Sequence, residues 1–582
     1  MSNQPSTAPG VRAEPEPPGP APAHGGAHAV AAARRHGAET MFTLSGGHVF
    51  PLYDGAVRAD PPMRIVDVRH EQTAVFAAEA TARLTRSPGL AVLTAGPGVT
   101  NGISAITTAH FNSSPVVVLG GRAPDYRWGS GSLQEFDHPA LLGPVTKRAW
   151  TEHQAAGVGP AVDEAFRLAA APHRGPVFLD VSLEALFGTA SDPDAVPVGA
   201  AGFPQDPAAS PAAGPADPEA PARIAALLAG ARRPVLVLGS DVWLGGAAPA
   251  ARDAAEQLRL PVVANGQGRG ILPAGHDLLV TRARSLAFGE ADLVIVAGTP
   301  LDFRLGYGEF GGRNGAPRAA VVHVADAASA IATHCELAGS AAGDLTAFFT
   351  GLAGAAGQAV RTPRGAAWTA SWLPRLQEAS QAAVSADAAL LTSEARPIHP
   401  MRIYGELTAV LDSDAVVIGD GGDFVSYAGK YIEPRQPGCW LDPGPYGCLG
   451  TGLGYAIAAR IARPSAQVVL LLGDGAAGFS LMDADTLVRH RLPVVMICGN
   501  NGIWGLEKHP MQALYGYDVA AELQPGCRYD QVVAALGGAG EIVTEPGGIG
   551  PALRRALSSG VPYLVNVLTD PAIAYPRSTT GV

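Results

Sequence analysis

The chain has 582 residues and a formal net charge of −11, which argues against a protein that binds nucleic acid through a basic surface. Its five cysteines include no CxxC pair, which excludes a disulfide scaffold and argues against a zinc or thioredoxin-like motif. No apolar run reaches the length of a membrane span, and no secretory signal is visible. We therefore expect a cytoplasmic protein without membrane or nucleic-acid partners.

Segments rich in Pro, Ala and Gly divide the chain. Residues 1–27 contain almost no large apolar side chains and are predicted to form a disordered tail. Residues 191–220 have a similar composition and are predicted to be a linker, and a weaker seam lies within 361–395. The ordered blocks are predicted to span residues 28–190, 221–360 and 396–582.

Each block repeats short apolar runs, such as GLAVLTAG, RPVLVLGS and AQVVLLLGDG, that are followed by Ala-rich helical stretches. Short continuous apolar runs that alternate with helices are typical of buried parallel strands. We therefore predict the α/β fold class, with three doubly wound parallel-sheet domains. Ligands of such sheets bind beyond the carboxyl ends of the strands, so the residues that follow these runs are candidates for function.

In the first block, the segment DVRHEQTAVFAAEA places Glu71 where a predicted strand gives way to a predicted helix. Apolar and small residues follow Glu71, so its carboxyl group is expected to be partly buried, which favours the protonated form of an acid. A glutamate at a helix start is also favoured by the helix dipole alone, and on this residue by itself that purely structural interpretation stays open.

The third block carries the sharpest motif, a Gly-Asp-Gly turn and an Asn-Asn pair that each follow a predicted strand. Asp474 and Asn501 lie 27 residues apart, close to the length of a βαβ unit, so both side chains are expected at one edge of the sheet. A carboxylate, an amide oxygen and a nearby carbonyl are hard oxygen ligands of the kind that Mg²⁺ prefers. The alternative is a pair of unrelated turns.

The same turn has features that suit a phosphate group. Gly473 and Gly475 allow the backbone to approach an anion closely. The backbone amides of Ala476 and Ala477 lie at the start of a predicted helix, where the helix dipole favours negative charge.

GDG, about two dozen residues and then NN resemble the cofactor signature of thiamine diphosphate enzymes. The segment GDGAAGFSLMDADTLVRHRLPVVMICGNNGIWG is similar to the cofactor domain of their acetolactate synthase-like branch. The resemblance implies that Asp474, Asn501 and the carbonyl of Ile503 hold Mg²⁺, which in turn holds the cofactor's diphosphate.

Two upstream segments extend the resemblance. DPGPYGCLGTGLGYAIAA is similar to the segment around the cofactor rings, so Leu449 would be the bulky residue that bends the cofactor. The carbonyl of Gly447 would accept a hydrogen bond from its 4′-amino group. GDGGDF resembles the loop that contacts the diphosphate, which makes Gly422 and Asp423 candidate contacts.

RHEQ followed by GPGVTN resembles the pyrimidine-binding domain of the same family. By that resemblance Glu71 is the catalytic glutamate, which shares a proton with N1′ of the aminopyrimidine. LSGGHVFPLYDG is similar to the loop above the thiazolium, so Gly47 and His48 would face the substrate, although His48 could equally be structural. In GSLQEFDH, Gln134 occupies the place of a substrate-side glutamine.

The middle block departs from the acetolactate synthase pattern. TRARSLAFGEADLVIVAGTPLDFRLGYG is closer to oxalyl-CoA decarboxylases and 2-hydroxyacyl-CoA lyases, whose central domain can hold an adenine nucleotide. Arg284 and Asp326 are candidate contacts for FAD, ADP or CoA. A spacer that binds no ligand is the alternative.

The resemblance implies an acetolactate synthase-type decarboxylating condensation of 2-oxo acids such as pyruvate. A CoA-dependent lyase or decarboxylase acting on an acyl-CoA is the nearest alternative. A non-catalytic cofactor-binding subunit is disfavoured because Glu71, Asp474 and Asn501 are all present. In this family the glutamate of one subunit faces the metal domain of another, which implies a homodimer or homotetramer.

Overall fold

The computed structural model describes residues 23–190, 217–357 and 368–575. Each of these three ranges is built around one β-sheet. The six strands of the first sheet are β1 (Thr40–Thr43), β2 (Arg64–Asp67), β3 (Gly89–Leu93), β4 (Val116–Arg122), β5 (Ala149–Glu152) and β6 (Val177–Ser182). The five central strands are β7 (Pro234–Leu238), β8 (Val262–Ala264), β9 (Leu293–Ala297), β10 (Ala320–Ala325) and β11 (Gly339–Ala342). The six strands of the third sheet are β12 (Val416–Asp420), β13 (Trp440–Leu441), β14 (Val468–Gly473), β15 (Val495–Asn500), β16 (Ala539–Val543) and β17 (Tyr563–Leu568).

Helices connect the strands and cover the sheets. The helices of the first domain are α1 (Gly25–Arg35), α2 (Phe50–Arg58), α3 (Glu71–Thr85), α4 (Pro97–Asn101), α5 (Ile103–Phe111), α6 (His138–Leu142), α7 (Ala155–Ala170) and α8 (Leu183–Phe187). The central domain has α9 (Ala220–Gly230), α10 (Ser240–Leu244), α11 (Ala248–Leu258), α12 (Arg284–Glu290) and α13 (Leu345–Ala356), and α14 (Leu373–Leu391) follows it. The third domain has α15 (Met401–Thr408), α16 (Asp423–Tyr431), α17 (Thr451–Ala462), α18 (Asp474–Ser480), α19 (Ala484–Arg489), α20 (Gly505–Tyr515), α21 (Tyr529–Ala535) and α22 (Ile549–Ser558).

All strand pairs in the three sheets are parallel. The strand orders are β2-β1-β3-β4-β6-β5, β11-β10-β9-β7-β8 and β13-β12-β14-β15-β17-β16. In each domain the first and third strands are neighbours, and the order reverses between them, which leaves a crevice at their carboxyl ends. The predicted α/β class with three doubly wound parallel sheets is therefore confirmed, and each sheet has a switch point where a ligand can bind.

The first and third domains share a core. Helix α3 packs on α17, where the rings of Phe76 and Tyr455 meet nearly edge-on with centroids 6.0 Å apart. The Tyr455 hydroxyl donates to the fully buried Glu79 at 2.7 Å. A Cβ atom on Gly454 would lie 2.7 Å from the Phe76 side chain, so glycine is required for this close approach. The start of α3 is thereby fixed relative to the third sheet.

Two segment boundaries differ from the prediction. Helix α1 begins at Gly25, three residues before the predicted domain start, because Gly25 and Gly26 pack closely against neighbouring backbone. The range 361–395 contains α14, whose start is anchored in the central core by its buried first residue Leu373 and by Trp372, which immediately precedes it. The rest of the predicted tail and linker, residues 1–22, 191–216 and 361–367, lies outside the described residues. Within the described ranges, no helix is both long and apolar enough to span a bilayer.

Candidate active site

A cavity of about 570 Å³ opens at the carboxyl edge of the third sheet, at its switch point between β12 and β14. The loops after β12, β14 and β15 supply much of its lining. The candidate residues that line it are Gly422, Asp423, Gly447, Leu449, Gly473, Asp474, Gly475, Ala476, Asn501 and Ile503. Ala477 is buried in the core behind this lining.

Asp474 is a buried charged residue in the lining of this cavity. Its side chain accepts hydrogen bonds from the amides of Gly502 at 2.6 Å and Gly475 at 3.0 Å, and the residue is only 4% exposed. Burial raises the pKa of the Asp474 carboxyl to about 6, against the opposing effect of these backbone donors. A divalent cation would supply the positive charge that stabilises the ionised carboxylate.

Asn501 lies on the neighbouring loop, where its side-chain oxygen accepts from the Ile503 amide at 3.2 Å. The structure thus brings Asp474, Asn501 and Ile503 to one cavity. Their carboxylate, amide and carbonyl oxygens are a donor set that fits Mg²⁺, with water and phosphate oxygens completing the octahedron.

Glycines allow the three loops to close around the cavity. A Cβ atom on Gly475 would lie 2.4 Å from the ring of Trp504, and one on Gly422 would lie 2.7 Å from Leu506. By contrast, a Cβ atom on Gly473 would meet nothing within 4 Å. Gly473 therefore presents open backbone to the cavity, which suits a diphosphate group. Sequence reasoning missed Trp504, although the GIWG that follows the Asn-Asn pair was a usable signal.

The loop that carries Leu449 is held by a second buried carboxylate. Asp420, the last residue of β12, accepts from the amides of Gly450 at 3.0 Å and Gly452 at 2.8 Å. These amides lie at the start of α17, so Asp420 fixes the turn that places Leu449 in the cavity wall. Burial raises the pKa of Asp420 to about 7. Sequence reasoning missed this residue because its partners lie some 30 positions away.

Glu71 lies at the start of α3, the helix that packs on α17 in the core shared by the first and third domains. It is 7% exposed, and its Oε2 accepts from Asn101 at 3.0 Å. Asp483 of the third domain accepts from the Arg69 amide and the Thr73 hydroxyl at 2.8 and 2.6 Å, which fixes the backbone around Glu71. Within the described residues, Glu71 does not line the cavity around Asp474.

The remaining first-domain candidates gather at the switch point between β1 and β3. Gly47 begins a short 3₁₀ turn, and the Nδ1 atom of His48 lies 3.3 Å from the Thr94 hydroxyl. Burial lowers the pKa of His48, and the neighbouring His138 adds to this effect. A Cβ atom on Gly96 would lie 2.8 Å from that of Gln134, so Gln134 covers the loop after β3.

The two central-domain candidates are both engaged in protein contacts. Arg284 donates to the carbonyl of Arg304 and lies over the ring of Phe288, 4.8 Å from its centroid. Burial lowers the pKa of Arg284 to about 10. Asp326 is bound by residues of the first domain, as described below. Instead, the central domain contributes to the cavity a set that sequence reasoning missed: Asn265, Gly266, Arg269, Phe303 and Arg304.

A charged cluster joins the first domain to the central domain. Asp326 lies 2.8 Å from Nδ1 of His173 and accepts from Arg174 at 3.2 Å. The buried Asp241 lies 4.0 Å from the same His173 nitrogen. Burial raises the pKa of Asp241 to about 7, and the charge of Asp326 adds to this effect. Burial lowers the pKa of His173, but the hydrogen bond to Asp326 and the charges of Asp241 and Asp326 together outweigh this effect, so the net shift is upward.

This cluster should make stability depend on pH. A carboxyl group whose pKa is raised by folding binds its proton more tightly in the folded state, so stability falls as pH rises from about 4 to 7. A raised histidine pKa acts in the same direction above pH 6.5. Replacing Asp241 with Asn should therefore reduce the loss of unfolding free energy between pH 5 and 7.5 by about 2 kcal/mol.

Urea unfolding at several pH values tests this prediction. The exposed Asp253 lies in the same domain, and Asp253→Asn should retain the wild-type pH dependence. If the unfolding free energy of Asp241→Asn falls with pH as steeply as that of the wild type, the cluster does not control this pH dependence.

Each of the three parallel sheets has a switch point, and the third carries a glycine-lined cavity with hard oxygen donors. Together with the buried glutamate, these features define a three-domain α/β enzyme that uses thiamine diphosphate. Family models agree: the N-terminal thiamine pyrophosphate binding domain matches residues 23–141, the central domain 221–352 and the C-terminal binding domain 420–567. The chain belongs to the thiamine pyrophosphate enzyme family.

Curated relatives cover nearly the whole chain. It is 50% identical over 542 residues to the acetolactate synthase large subunit IlvG of Mycobacterium tuberculosis, covering 93% of this chain and 95% of the relative. A probable acetolactate synthase of Mycobacterium bovis has the same identity and coverage. The 2-hydroxyacyl-CoA lyase 2 of Mus musculus is 33% identical over 553 residues, covering 90% of this chain and 85% of the relative.

Proposed function

We propose that this enzyme catalyses an acetolactate synthase-type reaction, the decarboxylating condensation of two 2-oxo acids, with pyruvate as the first choice of substrate. The observation that carries the proposal is the 50% identity to an acetolactate synthase large subunit across 93% of the chain. The glycine-lined cavity supports it, because its lining suits a diphosphate and a divalent ion.

The proposal assigns Mg²⁺ to Asp474, Asn501 and the carbonyl of Ile503, and the diphosphate to the loops that carry Gly422 and Gly473. When bound, thiamine diphosphate supplies the electron sink for decarboxylation. These loops begin at the ends of the paired strands β12, β14 and β15, which position the groups that they carry.

The chain's own residues supply orientation, proton transfer and exclusion of water. We assign the proton transfer to the buried carboxyl group of Glu71, whose orientation is fixed by the hydrogen bond from Asn101 at 3.0 Å. Leu449 contributes an apolar wall that keeps water from the reacting carboxylate. Arg304 lines the same cavity, and its Nε and Nη2 atoms are held by Asp302. Its Nη1 atom makes no hydrogen bond within the described residues and suits the carboxylate of a 2-oxo acid.

The proposal includes a homodimer or homotetramer with shared sites. Glu71 does not line the cavity around Asp474 within the described residues of one chain. Exposed apolar side chains lie near both half-sites: Phe50 and Leu133 are close in sequence to His48 and Gln134, and Phe479 packs against Trp504 of the cavity lining. A second copy that covers these surfaces would bring Glu71 of one chain to the cavity of the other.

Incubation of the purified protein with pyruvate, Mg²⁺ and thiamine diphosphate tests the substrate. Two pyruvate molecules should be consumed for each acetolactate and each CO₂ formed. Omission of Mg²⁺ in the presence of a chelator should remove the activity, since no metal ion would then bind the diphosphate to the protein. Formation of neither product would overturn the substrate assignment, while the membership in the thiamine pyrophosphate family would stand.

A second candidate is a 2-hydroxyacyl-CoA lyase, which the 33% identity to the murine enzyme and the pattern of the central block both favour. Cleavage of a 2-hydroxyacyl-CoA, with stabilisation by CoA or ADP, would support this activity, and flavin absorbance would support the synthase. Arg284 and Asp326 are held by protein groups, so they do not form a ready nucleotide site. We therefore assign no step to FAD, ADP or CoA.

A further inference from the structure

His138 is a fully buried histidine that links strand β6 to the turn after strand β3. Its Nε2 atom accepts a hydrogen bond from the Gly96 amide at 2.9 Å. Its Nδ1 atom lies 3.1 Å from both carboxylate oxygens of Asp180. Because a backbone amide can only donate, the proton of the neutral imidazole must lie on Nδ1 and point to Asp180.

Asp180 is itself held in place. Arg122, at the end of β4, donates to it at 3.2 Å. The Arg122 guanidinium stacks on Trp128, 3.4 Å from the ring centroid. The buried negative charge therefore has both a cation and a ring N–H donor, which fixes the tautomer and orientation of His138.

The turn that His138 holds leads directly to Glu71. Gly96 has a φ of 61°, in the left-handed region, and its carbonyl accepts from the Thr100 amide at 3.0 Å. Helix α4 follows and ends at Asn101, whose side chain donates to Glu71 at 3.0 Å. A displacement of the turn at Gly96 would therefore move the donor that orients the Glu71 carboxyl group.

We propose that His138, oriented by Asp180 and Arg122, is a positioning residue that fixes the Gly96–Asn101 turn and thereby sets the orientation of Glu71. This inference rests on the proposed function for its catalytic consequence, but its structural part does not depend on any substrate. His138 never contacts the cofactor in this proposal and acts only through the backbone of the turn.

Amide hydrogen exchange in the cofactor-free protein tests the structural part. His138→Leu removes the acceptor, so amides of residues 94–101 should exchange about tenfold faster. His138→Gln keeps an oxygen acceptor and should restore part of the protection. The matched control is His36→Leu, which loses a similar contact to Asp163 at 3.1 Å and should leave this segment unchanged.

Kinetics test the catalytic part. In His138→Leu we expect kcat to fall about 10- to 100-fold while the Kd for thiamine diphosphate stays within about threefold. Asp180→Asn should act in the same direction, because an amide can favour the wrong imidazole tautomer. In a Glu71→Gln background, His138→Leu should cause little further loss, since both changes act through one carboxyl group.

The two measurements distinguish the positioning role of His138 from the proposed function of the enzyme. Unchanged exchange of residues 94–101 in His138→Leu would overturn the proposal, as would faster exchange with unchanged kcat. If His138→Leu does not fold, His138→Gln and Asp180→Asn provide the same two readouts. If the wild-type enzyme is inactive with all 2-oxo acids, the proposed function fails, and the exchange measurement still decides whether His138 fixes the turn.

Discussion

Replacement of Glu71 with Gln is expected to reduce kcat by about 10²- to 10⁴-fold while leaving the Kd for thiamine diphosphate within about threefold. The amide has nearly the same shape, and its oxygen can still accept the hydrogen bond from Asn101. It cannot hold and release a proton, so only the proton-transfer role is lost. Steady-state kinetics and calorimetric titration of the cofactor give the two quantities.

Glu39→Gln is the matched control for this change. Glu39 is an exposed residue of the same domain that precedes strand β1, so its loss should leave both kcat and Kd unchanged. Full activity in Glu71→Gln would remove Glu71 from the proposed mechanism. A large loss of cofactor affinity would instead show that the carboxylate serves mainly in binding.

The third-domain site could be predicted because the residues that define it lie in short sequence motifs next to strands. Asp474 and Asn501 each follow an apolar strand, and parallel pairing of β14 with β15 necessarily brings the two strand ends to one edge. The glycines beside them indicate positions where the backbone lies too close to neighbouring groups for a side chain, as at Gly475 and Gly422. A short pattern of residue types therefore placed much of this cavity before any tertiary contact was considered.

Other features could not be predicted because tertiary contacts decide them. Strand β13 has only two residues, and β16 contains glycine and glutamate, so neither forms an apolar run. Helix α14 follows a polar seam and is anchored by Trp372 in another domain's core. His138 and Asp180 are 42 residues apart, and nothing in the sequence pairs them. Arg304 reaches the cavity only because the central domain packs against the third.

Asp474→Asn is expected to be inactive for a different reason from Glu71→Gln. The amide keeps an oxygen donor but loses the negative charge that balances Mg²⁺, so cofactor affinity should fall by about 100-fold. The two variants thus damage opposite halves of the proposed site, one in the first domain and the other in the third. If each site is built from two chains, the halves can complement one another.

Mixing the two inactive variants should therefore restore activity. In a dimer with two shared sites, a hybrid of Glu71→Gln and Asp474→Asn has one doubly damaged site and one site that is entirely wild type. Random exchange makes half of the dimers hybrid, so the mixture should reach about one quarter of wild-type activity. Either variant alone should stay inactive after the same exchange procedure, as should Glu71→Gln mixed with the double variant. If native mass spectrometry shows hybrids that have no activity, each site must be built within one chain, and Glu71 would have to reach its own Asp474 cavity by a rearrangement of the core shared by α3 and α17.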